Sequence, residues 1–406
     1  MERADVIILG GGLVGLTLAI ALDAHGLTTI VIDPADPAAT LAKGFDGRAS
    51  AVASASWNML ESIGVGEPLA GQGCPIRSIH VSEGLSPGGL VFDPDTEEGP
   101  LGLMFENRIL RNALRETALA ASRVSLVMPG RPVSTERGPF GVEVALQDGR
   151  SFSASLLVGA EGRASPTRDS AGIRLARWKY DHTAMISTVS HERPHGNVAY
   201  EIFYPAGPFA ILPLLPAEDG LNRSAIVWTV KAADAPAMLA LPERAFAAEV
   251  EKRMGSFLGS VALAAPRSSY PLGFHHAAKI TAERMALVGD AAHGIHPIAG
   301  QGLNLGFRDV AALVEVLVEG ARLGLDPGDA QLLARYERWR SLDTFLVAAT
   351  TDGLTRLFGI PGQAASAVRR AGLGAVARIA PLKRRFMDEA RGQSGELPRL
   401  LRGVAI

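Results

Sequence analysis

The chain contains 406 residues, of which 47% are hydrophobic, and its 40 basic residues nearly balance its 42 acidic residues. This composition excludes a disordered or low-complexity chain, and the balanced charge gives no indication of nucleic-acid binding. The length predicts two or three domains. Cys74 is the only cysteine, which excludes an internal disulfide and a cysteine-rich metal site and fits a reducing, cytoplasmic setting.

The apolar segment 6–22 is the stretch most easily mistaken for a targeting sequence. The residues before it form no positively charged region, and the segment contains three consecutive glycines. A signal peptide requires such a charged region. Three consecutive glycines disfavour a membrane-spanning helix, because glycine destabilises a helix interior. Elsewhere no run reaches the roughly 18–20 apolar residues that a spanning helix needs, so we expect no membrane-spanning segment.

The opening of the chain predicts a strand, a glycine turn, a helix and a second strand, at residues 5–9, 10–15, 14–24 and 28–32. In the sequence Gly10-x-Gly12-x-x-Gly15, the first glycine permits a tight turn and the second lets a pyrophosphate approach the backbone. The third allows close packing of helix on strand. Asp33 closes the second strand, where a carboxylate can bind a ribose hydroxyl. The pattern predicts a dinucleotide site; a plain glycine turn in a βαβ core is the alternative.

Apolar periodicity predicts the elements that follow. A helix is expected at 107–122, and further helices at 236–258, from near 302, and from about 330 onward. Strands are expected at 124–128, 141–147, 151–158 and 285–289, and those of a second sheet at 183–190, 198–204, 209–215 and 224–230. The fold class is therefore α/β: a Rossmann-type dinucleotide domain with an inserted β-sheet domain and a C-terminal helical region.

A second glycine-rich motif follows the strand at 285–289. Gly289 and Asp290 end the strand, and Gly300-Gln301-Gly302-Leu303-Asn304 begins the next predicted helix. Asp290 can accept a hydrogen bond from a sugar-alcohol chain, and the backbone N–H groups at 301–304 can face an anionic ring edge. The alternative is a structural aspartate that caps a helix.

Four histidines fall within 22 residues and suggest a metal site: His275, His276, His293 and His296. No acidic or cysteine partner stands at ligand spacing, and two of the four lie inside the glycine-rich motif. We therefore expect no metal.

A third motif, Gly159-Ala160-Glu161-Gly162-Arg163, lies between the Gly10–Gly15 motif and the glycine-rich motif at 289–304. With these three motifs the chain resembles the class A flavoprotein aromatic monooxygenases. That family has Asp where this chain has Glu161, so the carboxylate is retained but reaches one methylene further. The resemblance implies non-covalent FAD as cofactor. It also implies NAD(P)H as a transient reductant, since the chain has no second GxGxxG motif.

The resemblance also implies roles for individual residues. Asp290 would hold the ribityl chain, Pro297 would lie near the reactive flavin face, and Arg48 and Arg108 would face the FAD phosphates and adenosine. The residues expected at the reacting part of the flavin are Pro297, Gly300, Gln301 and Gly302. The residues expected to bind the cofactor are Gly10, Gly12, Leu13, Val14, Gly15, Asp33, Arg48, Arg108, Val133, Glu161, Gly162, Gly289, Asp290, Gly302, Leu303 and Asn304.

Within this class the chain is similar to the ubiquinone-biosynthesis hydroxylases, in residues 182–190, 195–215, 294–309, 336–358 and 381–386. The similarity implies hydroxylation of the ring of a polyprenylated phenol, with NAD(P)H and O2, through a flavin C4a-hydroperoxide. Two alternatives are a non-catalytic flavin-binding subunit of a quinone-synthesis complex and a flavin hydroxylase of another aromatic substrate.

The C-terminal tail has a basic, amphipathic character. Residues 361–406 contain nine Lys or Arg and three Asp or Glu, with apolar residues interleaved at helical spacing. Such a segment favours an anionic membrane surface, here the inner membrane. Packing on the body with a solvated basic face is the equal alternative, and contact with a quinone-synthesis protein complex is a further one.

The implied domain boundaries place three FAD-binding segments around two substrate-domain segments. The FAD-binding segments are 1–75, 106–178 and 276–330, the substrate-domain segments are 76–105 and 179–275, and the helical tail is 331–406.

Overall fold

Strands dominate the middle of the chain, and helices alternate with strands at its beginning. The computed structural model describes residues 1–40, 48–85, 89–94, 99–294, 301–341 and 378–406. The strands are β1 (Glu2–Leu9), β2 (Thr29–Ile32), β3 (Ala49–Ala53), β4 (Cys74–Ile76), β5 (Ser78–Glu83), β6 (Leu90–Phe92), β7 (Gly102–Glu106), β8 (Val124–Val127), β9 (Pro132–Gly138), β10 (Gly141–Leu146), β11 (Ser151–Gly159), β12 (Leu175–His191), β13 (Val198–Tyr204), β14 (Gly207–Leu214), β15 (Asn222–Lys231), β16 (Val261–Leu263), β17 (Ser268–Ala277), β18 (Thr281–Ala282), β19 (Met285–Leu287) and β20 (His293–Gly294).

Helices connect and cover these strands. They are α1 (Leu13–Asp23), α2 (Pro37–Thr40), α3 (Ser54–Ser62), α4 (Gly66–Leu69), α5 (Asn107–Ala120), α6 (Pro166–Ser170), α7 (Ala235–Ala240), α8 (Glu243–Met254), α9 (Gln301–Arg322), α10 (residues 330–341) and α11 (Ala380–Ala390). Short 3₁₀ turns lie at Ser256–Leu258, Gly289–Ala291 and Arg399–Arg402. Among the helices described, none is long and apolar enough to cross a membrane.

The first sheet is the predicted dinucleotide-type sheet. Its order is β18-β19-β11-β1-β2-β8, with β10 on β11 and β9 on β10. Strand β1 pairs in parallel with both β2 and β11, and its residues Val6, Ile7 and Ile8 are buried. A parallel strand covered on both faces is apolar at every position, which is why this run does not alternate.

The second sheet has the order β20-β17-β12-β15-β14-β13-β5-β6, with β16 on β12. Its pairs are antiparallel except β13–β5. On one face, Met185, Phe209 and Trp228 pack in a cluster with Phe246 and Val250 of α8. The other face packs against a small third sheet, β3-β7-β4, and against α11.

The predicted fold class is confirmed by this architecture: an α/β sheet, an inserted β-rich sheet and a helical C-terminal region. Three features were not predicted. The helix expected at 236–258 is divided at Pro242 into α7 and α8, because the residue before a proline is driven to extended backbone, and Leu241 has ψ 141°. The third sheet and the long strand β17 also had no counterpart in the sequence analysis.

Candidate functional site

The Gly10–Gly15 turn lies between the ends of β1 and α1, as its spacing predicted. Gly10 has φ +106°, and a Cβ there would lie 2.5 Å from the Ala160 carbonyl oxygen. A Cβ on Gly15 would lie 1.9 Å from the Gly10 carbonyl oxygen, so α1 packs directly on the turn. Beside Gly12, in contrast, a Cβ would meet nothing within 4 Å. The backbone of this turn therefore borders open space.

The N-terminus of α1 is left available to an anion. The helix begins at Leu13 with no side-chain cap and no acidic residue in its first turn. The N–H groups of a first helical turn have no partner inside the helix, and the helix dipole favours negative charge there. This end of α1, next to the open space beside Gly12, can take a pyrophosphate.

Asp33 lies at the carboxyl end of β2 beside the same turn. Its Oδ2 accepts a hydrogen bond from the Gly11 N–H at 2.6 Å, and its Oδ1 accepts one from the Ala35 N–H at 2.7 Å. These bonds orient the carboxylate against the glycine turn. The position is the one at which a dinucleotide ribose is bound in this type of fold.

The central and late motifs meet at Asp290. Its Oδ2 lies 3.2 Å from Arg163 Nε, and the two side chains are 44% and 42% exposed. Arg168, which is buried, donates from Nη1 to the carbonyls of Arg163 and Ala291 at 3.1 and 3.2 Å. Arg168 thus joins the two motifs, while the Asp290 carboxylate stays accessible to a ligand.

Glu161 is held by local bonds. Its carboxylate accepts hydrogen bonds from Ser165 Oγ at 2.7 Å and from the Thr167 N–H at 3.2 Å, and Thr167 Oγ1 also donates to it. In this arrangement Glu161 caps the start of α6. A contact of Glu161 with a cofactor stays a prediction.

A buried ionic cluster behind Asp290 was not found from the sequence. Asp309, 1% exposed, accepts through Oδ2 from the Gly289 N–H at 2.9 Å and from His293 Nε2 at 2.6 Å. Its Oδ1 accepts from Arg340 Nε at 2.7 Å. Burial raises the pKa of Asp309, but the charges of His293 and Arg340 and their hydrogen bonds outweigh it and hold the pKa below its usual value. The cluster fixes the turn that carries Asp290. The sequence pattern that could have indicated this cluster is the charged residue Asp309 among the buried apolar residues of α9.

The start of α9 is anchored by Asn304. Its Oδ1 accepts from the Ala53 N–H and its Nδ2 donates to the Ala51 carbonyl, both at 2.9 Å. A Cβ on Gly302 would meet nothing within 4 Å, so the backbone here also borders open space. Gln301 and Leu303 are half-buried beside it. Two other residues expected here, Pro297 and Gly300, lie outside the described residues.

The two expected arginines occupy neighbouring positions. The Arg48 carbonyl accepts from the Asn107 N–H at 3.0 Å, which places Arg48 at the start of α5, where Arg108 lies. The Nε of Arg108 is buried with no hydrogen-bond partner among the described residues. A buried guanidinium nitrogen of this kind fits an anionic ligand. Val133 is 62% exposed on β9, and no described contact assigns it a role.

Tyr270 on β17 is a second residue that the sequence analysis missed. Burial raises its pKa; Arg163 and Arg48 act to lower it and Asp290 to raise it further. Tyr270 is therefore within electrostatic range of the predicted cofactor residues, although it belongs to the second sheet. Five residues further along β17, His275 donates from Nε2 to the Asp290 carbonyl at 2.7 Å.

The remaining candidates have local roles. His276 Nδ1 bonds the Ala277 carbonyl at 2.8 Å, and the described residues hold no group of three or more potential metal ligands; His296 lies outside them. In the tail, Phe386 and Met387 of α11 pack on the second sheet, and Arg384 and Arg385 are exposed. Residues 342–377, which carry part of the helical region expected from about 330 onward, lie outside the described part.

These observations fit FAD. The open backbone beside Gly12 and Gly302 provides room for a pyrophosphate and for a ring edge. Asp33 and the accessible Asp290 carboxylate can bind ribose and ribityl hydroxyls, and Arg108 Nε lacks a partner. No cysteine lies in these motifs, so nothing here suggests a covalent link.

Comparison with known proteins agrees with the assignment of an FAD site. The family model "FAD binding domain" matches residues 3–345. Ubiquinone hydroxylase UbiL from Rhodospirillum rubrum is 48% identical over 406 residues, covering 99% of this chain and 94% of that protein. The 3-demethoxyubiquinol 3-hydroxylase of Escherichia coli is 35% identical over 394 residues, covering 96% and 99%. The structure of p-nitrophenol 4-monooxygenase PnpA from Pseudomonas putida has a TM-score of 0.80 at 18% identity, covering 98% and 100%.

The chain therefore belongs to the class A FAD-dependent monooxygenases, within the family of ubiquinone-biosynthesis hydroxylases. It is an enzyme with non-covalent FAD, and NAD(P)H as reductant is consistent with the family. The sequence predictions of family, enzyme class and cofactor are confirmed.

Proposed function

We propose that the enzyme hydroxylates the aromatic ring of a polyprenylated phenol, using NAD(P)H and O2. The observation that carries the proposal is the largely apolar face of the second sheet, which lies toward the cofactor residues. Ala184, Ala199, Ala210 and Ala225 are buried on this face. Small apolar side chains leave room for a flat ring, and they exclude water from the reaction. Two similar proteins carry names that refer to ubiquinone or ubiquinol.

The chain's own residues have three tasks in this proposal. Gly12 and the start of α1 hold the pyrophosphate with Arg108, Asp33 holds the ribose, and Asp290 holds the ribityl chain. The backbone at Gln301–Asn304 faces the flavin ring, together with Pro297 and Gly300. When bound, FAD supplies the activation of O2 after reduction by NAD(P)H. The protein orients the ring carbon toward the flavin and keeps water out.

The proposed organisation follows from the same residues. The first sheet and its helices form the FAD-binding unit, and the second sheet forms the substrate-binding unit, with the boundaries given above. We also propose that the protein is cytoplasmic and contacts the inner membrane peripherally through its basic tail. A polyprenylated phenol is almost insoluble in water, so a lipid surface or a lipid-carrying partner must supply it.

The test is phenol-dependent oxygen transfer. Purified protein containing FAD would be supplied with NAD(P)H, ¹⁸O2 and a phenol bearing a short prenyl chain, and the product would be analysed by mass spectrometry. We expect NAD(P)H consumption that depends on the phenol and one ¹⁸O atom in the product. Consumption that is independent of the phenol and yields only peroxide would refute the proposal and favour an oxidase, and the absence of any NAD(P)H consumption would favour a non-catalytic flavin protein.

A further inference from the structure

Glu201 lies on the apolar face of the second sheet that points away from α8. Glu201, on β13, is paired with Ala210 of β14. The same row of paired residues continues through Val227 of β15 to Ile186 of β12. Directly paired residues of neighbouring strands lie on the same face. The adjacent row, Ile202, Phe209, Trp228 and Met185, forms the core against α8, so Glu201 lies on the opposite side.

This face is the one that lies toward the cofactor residues. Ala199, two positions before Glu201, clusters with Met104 of β7 and Ala51 of β3, and the Ala51 carbonyl is bonded to Asn304. Tyr270 lies on the same face, because Ser268 pairs with Ile186 and residues two apart in a strand share a face. Tyr270 is the residue within electrostatic range of Asp290.

The Glu201 side chain is half-buried. Burial raises its pKa to about 8, and burial is the only cause of the shift. No neighbouring charge or hydrogen-bond donor among the described residues therefore stabilises its charged form. An unpaired carboxyl in an apolar setting is costly and is typical of a site where a ligand supplies the partner.

Other ionisable groups border this face without reaching Glu201. Arg223 of β15 is paired with Glu106 at 2.9 Å. The remaining groups on the same face and on the elements packed against it are His182, Lys231, Glu83, Cys74, Tyr270, Lys383, Arg384, Arg385, Asp388 and Glu389. None of them contributes to the pKa of Glu201. The titration of Glu201 is thus governed by its apolar surroundings.

We propose that Glu201 is a catalytic residue that binds the hydroxyl group of the phenol and accepts its proton during ring hydroxylation. The inference rests on the proposed function. The O–H bond of the phenol breaks, its proton moves to Glu201, and the electron pair released into the ring forms the new C–O bond with one oxygen atom derived from O2. The O–O bond breaks as this bond forms, and the departing oxygen keeps the electron pair of the O–O bond and leaves as water after taking up protons. NAD(P)H supplies the two electrons for this reduction. The attacked carbon then loses its hydrogen as a proton, the ring regains aromaticity, and Glu201 returns its proton to the phenolate oxygen or to solvent.

A binding measurement tests the contact without turnover. The probes are a phenol with one ortho dimethylallyl group and its methyl ether, which cannot donate a hydrogen bond. Calorimetry with oxidised holoenzyme at pH 9, where the Glu201 carboxylate is charged, should show a preference for the phenol of about tenfold or more. The E201Q variant should lose most of that preference, and Glu201→Leu should lose all of it. Glu143→Gln, an exposed strand carboxylate on β10, is the matched control and should match the wild type.

Kinetics provide the second readout. The kcat/KM of the wild type should rise with pH through an apparent pKa near 8, since the deprotonated form of a general base is the active form. E201Q should lose this rise, and its kcat should fall by about 10² or more with FAD content unchanged.

The outcomes separate the two proposals. If the wild type binds and hydroxylates the phenol and E201Q retains the preference and the pH dependence, the role of Glu201 is overturned while the proposed function stands. If the wild type neither prefers nor consumes the phenol, the proposed function fails, and the role of Glu201 fails with it.

Discussion

Replacing Asp309 with Asn removes the negative charge at the centre of the buried ionic cluster. Asp309 accepts three hydrogen bonds, from Gly289, His293 and Arg340. An amide has one acceptor oxygen, so either Arg340 Nε or the Gly289 and His293 donors lose this acceptor. Arg340 is 2% exposed, and its charge cannot be hydrated without a local opening of the structure.

We expect Asp309→Asn to lower the free energy of unfolding substantially, because the ion pair of Asp309 with Arg340 is buried. Removing one partner of a buried ion pair typically destabilises a protein by about 3–5 kcal/mol, a substantial part of the roughly 5–15 kcal/mol that stabilises a typical fold. We expect Asp309→Asn to lower the urea midpoint of the FAD-free protein and also to weaken FAD binding, because the turn that carries Asp290 is no longer fixed.

The pH dependence has a defined sign. Because the folded-state pKa of Asp309 is below its usual value, its stabilising contribution is complete above the ordinary aspartate pKa near ~3.9 and is lost as the pH falls through the folded-state pKa. The difference between wild type and Asp309→Asn should therefore shrink in acid. Asp148→Asn is the control, since Asp148 pairs with Arg150 at 2.7 Å in an exposed turn. Equal urea midpoints for wild type and Asp309→Asn at pH 7 would contradict this account of the cluster.

Three further predictions concern the cofactor and the tail. Acid precipitation should release all FAD into the supernatant, and flavin in the pellet would show a covalent link. Asp290→Ala should lose a charge-assisted hydrogen bond of about 1.5–3 kcal/mol, so FAD affinity measured by fluorescence titration should fall by roughly one to two decades while the FAD-free fold survives; unchanged affinity would remove Asp290 from the site. Replacing Lys383, Arg384 and Arg385 together by Gln should weaken flotation with anionic liposomes by roughly two decades at low salt, at about 1 kcal/mol per charge, and leave FAD content unchanged. Equal flotation of both proteins would restrict the tail to packing on the second sheet.

The parts of the site that the sequence predicted are those formed by neighbouring residues. Gly10, Gly12 and Gly15 form one turn, so their spacing alone determines the geometry, and the same holds for Gly289 with Asp290. The confirmed fold class follows from apolar runs whose period is a local property of each strand and helix.

The parts that it did not predict depend on contacts between distant residues. Asp309 and Arg340 are 31 residues apart, and nothing in the spacing pairs them. Tyr270 lies within electrostatic range of Asp290 and Arg163, on a strand whose His275 is bonded to the Asp290 carbonyl. The carboxylate of Glu161 is engaged by Ser165 and Thr167, and its contact with the cofactor stays a prediction.

Strand β17 links the second sheet to the turn that carries Asp290. It pairs with β12 and, at its end, with β20, both of which belong to the second sheet. His275 on it is bonded to the carbonyl of Asp290, so this edge of the second sheet is tied to the end of the first. At the other end of the second sheet, near β6, Phe92 contacts Phe386 of α11 with ring centroids 6.4 Å apart. Under the proposed membrane contact, the basic helix would therefore bring this end of the sheet, and not the edge held by β17, to the lipid surface.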